Sequence, residues 1–426
     1  MNNQIEITFG EIGRAITGKT PSSDDPDDFG EGYPFVTPTD SLDSKYVLQT
    51  ARQLSDEGLR KLKTKALPPD SVLVSCIGSA MGKVVMNSTT CITNQQFNSI
   101  IVDTGRFCPH YVYYALRNSY KLLRNAASGS TALPMLNKTD FEKLKIRVFK
   151  DRAHQRKIAS VLSALDAKIA LNHRINGELE GMAKLLYDYW FVQYDFPLSA
   201  AQAAALGKPR LAGQPYRSSG GPMVFHPQLK REIPKGWEAS TVGETFNTHL
   251  GGTPSRKEPS YWSPDEVAWL SSGEKEHLFV CAPDECISKK GLSNSPATLL
   301  PEGSVILSIV RHIRASILGI AAATNQSVVG IKETGSIKHC FIFPFIMGEI
   351  PRFMMLRTGA QQPHINKGTV DETPLVIPAA ETLGAYTAIA GPLFEQIRIH
   401  QRQNQELTAL RDWLLPMLMN GQVRVG

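Results

Sequence analysis

The sequence contains no apolar run approaching the roughly 18 residues that a membrane span requires, and its polar start, MNNQIEIT, does not read as a signal peptide. A soluble, cytoplasmic protein with no membrane partner is the expectation. Its six cysteines (Cys76, Cys91, Cys108, Cys281, Cys286 and Cys340) form no CxxC pair. Cys281 and Cys286 lack suitably spaced companions, so reduced thiols and no metal site are expected. Catalytic signatures are missing too: there is no HExxH, no GxSxG and no GxGxxG after a strand. Nor is there an Asn-Pro-Pro-aromatic stretch of the kind a base-methylating enzyme carries. No carboxylate cluster beside a lysine suggests a nuclease, and the ten histidines are dispersed. No catalytic residue is assigned. The chain reads as one built to hold and to recognise.

One motif resembles catalytic machinery. Gly13-Arg-Ala-Ile-Thr-Gly18-Lys19-Thr20 satisfies the GxxxxGK[ST] phosphate-loop pattern. That chemistry needs a helix starting at the lysine, whose N-terminal N–H groups cradle phosphate. Here Pro21-Ser-Ser-Asp-Asp-Pro26-Asp-Asp follows, which breaks a helix and repels an anion. The pattern is therefore set aside.

What is present is a long heptad stripe. Steps of four and three from Ile158 give Leu162, Leu165, Ile169, Asn172, Asn176, Leu179, Ala183, Leu186 and Trp190. The same stripe returns 228 positions later as Tyr386, Ala390, Leu393, Ile397, His400, Asn404, Leu407, Arg411, Leu414 and Leu418. Helices of this length span roughly 50–60 Å at about 1.5 Å per residue. A one-faced helix needs a partner, and the other copy is the nearest. In an antiparallel pair the polar layers meet centre to centre, which places Asn176 by His400 and Asn172 by Asn404.

The helix repeat is part of a larger one. Thr8-Phe-Gly-Glu11 recurs as Thr241-Val-Gly-Glu244, Gly18-Lys-Thr-Pro-Ser22 as Gly251-Gly-Thr-Pro-Ser255, and Leu67–Leu73 as Leu300–Ile306, each 233 residues on. Thr93-Asn-Gln95 returns at 231 as Thr324-Asn-Gln326, and Gly129, Pro134, Asn137 and Lys138 match Gly359, Pro363, Asn366 and Lys367 at 229–230. Small loop deletions produce such a drift. The chain, 426 residues with 42% hydrophobic and 20% charged content, is a tandem duplication.

Within each unit, short β-rich runs lie between Gly, Pro and Asn: 72–76, 83–86 and 98–102, then 304–310, 316–321 and 339–344. A helix is predicted at about 109–125, with a shorter counterpart around 350–357. The fold class is α+β: two tandem, mostly β domains separated by two long helices in an antiparallel coiled coil. The boundaries read 1–150 for the first domain and 151–193 for the central helix. A linker rich in Ala, Gly, Pro and Ser, which even if extended is free to pack on the surface, occupies 194–236, the second domain 237–379 and the C-terminal helix 380–420.

A net charge of +6 permits a nucleic-acid partner without requiring one. Candidate contacts are the corresponding polar segments and the basic clusters. In the first domain these are Lys19, Thr20, Ser22, Asn94, Gln95, Gln96 and Lys138. In the second they are Ser255, Arg256, Lys257, Arg311, His312, Arg314, Asn325, Gln326, Gln361, Gln362 and Lys367. Gln and Asn pair bidentately with adenine, Arg with guanine, and Lys or Thr with phosphate. The repeated Gly-Thr-Pro-Ser, Thr-Asn-Gln and Asn-Lys residues are alternatively turns and caps. Positions that differ between the domains, Arg311 to Arg314 against Gly78 to Met81, are the better base readers. Two readers of different sequences must differ where they read.

Variable units with GKTPS or GGTPS near their starts are each followed by a helix of the style QRKIASVLSALDAKIALNHRINGELEGMAKLLYDYWF. A Tyr-Arg-Ser-Ser-Gly-Gly stretch leads to Ile233-Pro-Lys-Gly-Trp237. Together they closely resemble the DNA-specificity (S) subunit of type I restriction–modification systems, over essentially the whole chain. Gly391-Pro392 departs from the pattern by interrupting the second helix. The resemblance implies a non-catalytic subunit whose two target-recognition domains read a bipartite, asymmetric site in double-stranded DNA, with the helices as a ruler. It implies two methylation (M) subunits and restriction (R) subunits as partners in defence against foreign DNA. No cofactor is expected on this chain; S-adenosylmethionine, ATP and Mg are expected on the partners. A nucleotide-dependent enzyme using Gly13–Thr20 and a protein-binding scaffold are the competing readings.

Overall fold

The structure, a computed structural model, describes residues 4–22, 25–47, 49–126, 135–262, 266–273, 277–359 and 361–425. Gly129 and Pro134 lie outside them. The chain divides into two units, one comprising Met1–Leu171 with Asn404–Gly426 and the other Asn172–Gln403. Both boundaries fall inside the long helices.

The first unit contains strands β1 (Gln4–Thr8), β2 (Gly13–Thr17), β3 (Phe29–Val36), β4 (Arg52–Leu54), β5 (Val72–Ser75), β6 (Val84–Met86), β7 (Ile92–Thr93), β8 (Phe97–Val102) and β9 (Lys145–Phe149). They form sheets in the orders β2-β8-β5-β6 and β4-β3-β7, and the pair β1-β9. β5 is buried on both faces. Val72 and Val74 pack with Tyr111, Val112 and Leu116 of the helix Pro109–Asn118, while Leu73 joins Leu67, Val85 and Phe97 opposite. The alternation is the strand period of two.

The second unit contains β10 (Met223–His226), β11 (Arg231–Pro234), β12 (Glu238–Thr241), β13 (Thr248–Leu250), β14 (Val267–Leu270), β15 (Phe279–Val280), β16 (Glu285–Ile287), β17 (Val305–Ser308), β18 (Arg314–Leu318), β19 (Ala323–Thr324), β20 (Val328–Ile331) and β21 (Pro374–Ile377). Its sheets run β13-β20-β17-β18-β15 and β16-β14-β19, with the pair β12-β21. This repeats the first order with one strand added, β15 parallel beside β18, and it keeps the parallel pairing of β3 with β7 as that of β14 with β19.

The central helix runs Arg152–Tyr187 and the C-terminal helix Ala380–Met419. In the first unit Ile158 and Leu162 share a core with Leu415, Leu418 and Met419. In the second, Ala183, Tyr187 and Trp190 share one with Tyr386, Ala390, Phe394 and Ile397. The start of one helix meets the end of the other in each unit, so the pair is antiparallel. Asn176 Oδ1 lies 2.8 Å from His400 Nδ1 as expected, and Asn172 donates to Gln403 Oε1 at 3.4 Å. Gly391-Pro392 does not break the helix. The carbonyl that Pro392 leaves without a donor belongs to exposed Ala388, where water can serve it.

Two expectations fail. Residues 339–344 are not a strand but the start of a helix, His339–Met355, which replaces the short counterpart expected at 350–357. A six-residue apolar run does not distinguish a buried strand from a buried helix turn. Residues 194–236 are not a bare linker. They form the short helix Ala200–Ala205 and the β10-β11 hairpin, and they bury Tyr194, Phe196, Leu198, Tyr216 and Ile233. Phe196 stacks between Tyr216 and Trp237 at ring separations of 4.5 and 5.1 Å. A few aromatics anchor a segment whose average composition looks unstructured.

Pro344 lies inside that helix and deprives the Cys340 carbonyl of its usual i→i−4 donor; the Tyr386 hydroxyl supplies one instead at 3.0 Å. Tyr386→Phe should therefore destabilise the second unit by about 1–2 kcal/mol in chemical denaturation. The loss should shrink in a Pro344→Ala background, where the helix recovers its own N–H. An equal loss in both backgrounds would refute this account.

Candidate DNA interface

The repeated motifs are a latch. In the first domain the Lys19 N–H donates to Thr93 O (2.9 Å), the Thr20 hydroxyl to Gln95 Oε1 (2.7 Å) and the Gln96 N–H to Asn94 Oδ1 (3.0 Å). In the second the Gly252 N–H donates to Thr324 O (2.7 Å), the Thr253 hydroxyl to Gln326 Oε1 (2.6 Å) and the Ser327 N–H to Asn325 Oδ1 (3.0 Å). Glycine leads each latch because the backbones touch. A Cβ at Gly18 or Gly251 would sit 2.2 Å from the Asn94 or Asn325 carbonyl oxygen. Asn137 and Asn366 likewise cap short helices, accepting from Asp140 N and Thr369 N at 2.9 and 2.8 Å. The shared residues thus follow the turn-and-cap alternative.

The phosphate-loop pattern resolves the same way. Gly13–Thr17 is β2, and Lys19 leaves it bonded to Thr93 rather than starting a helix.

Several candidates are committed to the fold. Arg256 pairs with both Glu285 oxygens at 2.6 and 2.7 Å and lies 3.4 Å above the Trp262 ring. Its guanidinium holds Glu285 below the usual carboxylate range through these hydrogen bonds. Lys367 binds Asp371 at 2.5 Å, and Asp371 also accepts from the Thr248 hydroxyl at 2.7 Å. Lys138 pairs with Glu142 at 3.5 Å on an exposed face. Ser22, Ser255 and Lys257 are exposed.

The others gather. In the second domain the Arg311 N–H donates to Pro363 O (2.9 Å) and the Ile365 N–H to Ile309 O (3.0 Å), which sets the loop Arg311–Arg314 against the segment bearing Gln361 and Gln362. His312 and Arg314 line a cleft with Ser271, Ser272, Ser308 and Ser316, and Asn325 reaches it by donating to Ser272 Oγ at 3.3 Å. In the first domain Asn94 and Gln96 line a cleft with Thr37, Thr39 and Arg52. Thr37, Thr39, Arg52 and the four serines escaped sequence reasoning. Ser308 alone of these carries a signal, sharing its identity with Ser75 at the 233-residue repeat; the others have no repeated identity to flag them.

The model of the type I restriction–modification DNA specificity domain matches twice, over residues 3–181 and 234–409. The chain belongs to the type I DNA-specificity subunit family. This specificity subunit is 25% identical over 427 residues to the MjaIX specificity subunit of Methanocaldococcus jannaschii, covering 97% of the chain and 92% of that protein. It is 22% identical to the HindI specificity subunit of Haemophilus influenzae, over 99% of the chain and all of that protein. In three dimensions it resembles the type I S subunit of M. genitalium, with a TM-score of 0.55 and 14% identity over 98% of this chain and 96% of that one. The family is non-catalytic. Among the described residues no helix is long and apolar enough to cross a membrane.

A methyl group at Gly251 must push the Thr324-Asn325 backbone away. Gly251→Ala should cost about 1–3 kcal/mol of second-domain stability, read by limited proteolysis and denaturation. Unchanged stability would show that the latch does not bear on folding.

Proposed function

We propose that this specificity subunit reads a bipartite, asymmetric site in double-stranded DNA, one half per domain. The observation that carries the reading is one scaffold built twice, with the same latch and, but for β15, the same sheet orders, presenting different side chains at the rim of each cleft. Two identical readers would favour a symmetric site; these two differ, with Arg311 to Arg314 in one hairpin and Gly78 to Met81 in the other. The long helices act as the ruler for the unread spacer and as the docking surface for two methylation subunits. Adenine methylation and ATP-dependent cleavage reside on those and on the restriction subunits, together with S-adenosylmethionine, ATP and Mg. The setting is the cytoplasm.

Genome-wide methylation in the host, with this gene intact and deleted, tests the reading. Loss of a two-part adenine-methylation motif on deletion is expected, and an unchanged pattern in a host with active partner subunits would overturn it. Inserting one heptad into both helices adds about 10 Å, so the spacer should lengthen by about three base pairs at 3.4 Å each. An unchanged spacer would sink the ruler. Replacing residues 1–150 with the first domain of another family member should alter one half-site only, and a change in both would end the modular reading.

A further inference from the structure

Gly78 and Arg311 occupy the same turn of the same hairpin in the two domains. Each follows a residue bridged to the segment before the Asn-Lys pair, Ile77 to Met135 and Val310 to His364. Both turns are left-handed, with φ of 60° at Gly78 and 62° at Arg311. Glycine adopts that conformation without strain, and an arginine does not. The fold calls for glycine, and the second domain carries arginine.

Nothing among the described residues rewards the substitution. The Arg311 backbone N–H holds the turn through Pro363 O, a bond glycine makes equally well. Among the described residues its guanidinium has no hydrogen-bonding or ion-pair partner, and neither has that of Arg314, three residues on. Arg314 faces Ser308 across β17-β18 at the register where Lys83 faces Ser75 in the first domain. There the Lys83 ammonium is bound to Asp43 at 2.7 Å. The second domain thus keeps a strained backbone and two uncompensated cations on one hairpin, above a cleft lined by Ser271, Ser308 and Ser316.

We propose that Arg311 and Arg314 read guanine in the second half-site. This rests on the reading of the chain as a DNA-specificity subunit. Arginine offers only donors, in a planar fork that matches the O6 and N7 acceptors of guanine in the major groove. β17 and β18 are held in their sheet by β20 and β15, so the turn between them is the part that would enter the groove. A phosphate contact tolerates a loosely placed cation, whereas a bidentate base contact needs the fork aimed, and a strained turn at the tip aims it.

The test borrows the residues of the first domain. Arg311→Gly keeps the left-handed turn, and Arg314→Lys keeps the charge while removing the fork. Each is made in the full chain, expressed with its methylation subunits, and the methylated motif is read by sequencing. The wild-type second half-site should contain a G·C pair, and each variant should lose about 10- to 100-fold of its discrimination at one such pair. The first half-site should stay unchanged, which also shows that the variant folds and assembles. An unaltered motif overturns the proposal. So does a loss of affinity equal for all sequences with a salt slope shallower by about one, the mark of a phosphate contact. A wild-type complex with no bipartite motif overturns the functional reading itself and this inference with it.

Discussion

Two helices of 36 and 40 residues, each apolar along one stripe, cannot stand singly in water, and covering that stripe is the constraint on which the rest is hung. Apolar contacts alone would let the pair slide by a heptad, because one leucine layer accepts another. The polar members forbid it. Arg411, at a seam position, donates to Asp166 at 2.8 Å, with both side chains only 8% exposed, and the Tyr114 hydroxyl donates to Asp166 at 2.5 Å. Burial disfavours the Arg411 charge, but its hydrogen bonds to Asp412 and Asp166 outweigh this and raise its pKa. A slipped register would part that guanidinium from Asp166 and leave the buried carboxylate without its cation, a far larger cost than one lost apolar contact. Asn176 and His400 impose the same condition in the second unit.

The domains are seated on this frame by hydrogen bonds to helix side chains. In the first, the Cys108 N–H donates to Gln155 Oε1 at 2.8 Å and buried Lys45 donates to Ser163 Oγ at 2.8 Å. In the second, the Phe279 N–H donates to Gln401 Oε1 at 2.7 Å. A strand or helix end fixed to the seam transmits the register of the seam to the sheet it belongs to. The latches extend the same order to the cleft rims, leaving the hairpin tips as the parts free to vary.

That division explains what the sequence disclosed. The heptads, the duplication and the long helices were readable because each imposes a period or a repeated identity on many residues at once. Residues 339–344 were misread because Phe341 and Ile342 are buried in helix and strand alike. The segment 194–236 misled through its average, which a handful of aromatics overrule. At the candidate interface, repetition drew attention to Thr20, Asn94, Gln95 and Lys367, yet repetition marks what the scaffold needs. Arg256 is basic and exposed in the sequence pattern, but Glu285 and Trp262, which claim it, lie 29 and 6 residues away, beyond any local rule. Arg52 went unnoticed because it stands at the end of a strand with no repeated neighbour.

Arg52 and Arg256 show how one scaffold comes to carry two readers. Phe29 and Trp262 hold the same place, each directly after the residue whose carbonyl accepts from the serine that caps the next helix, Asp28 from Ser55 and Tyr261 from Ser288. Each ring bears a guanidinium, Arg52 at 3.5 Å and Arg256 at 3.4 Å. The cations come from different strands and loops, however. The register that holds Arg52 beside Phe35 holds Glu285 beside Trp269. In the second domain that glutamate neutralises the stacked arginine, whereas Arg311 and Arg314 on the hairpin have no carboxylate partner among the described residues. In the first domain Arg52 has no carboxylate partner among the described residues and lines the cleft itself, while the hairpin tip is glycine. Both domains thus stack a guanidinium on the same ring position, and among the described residues it is neutralised by a carboxylate in the second only. The uncompensated charge therefore stands at different positions in the two domains, where the halves of an asymmetric site would meet different chemistry.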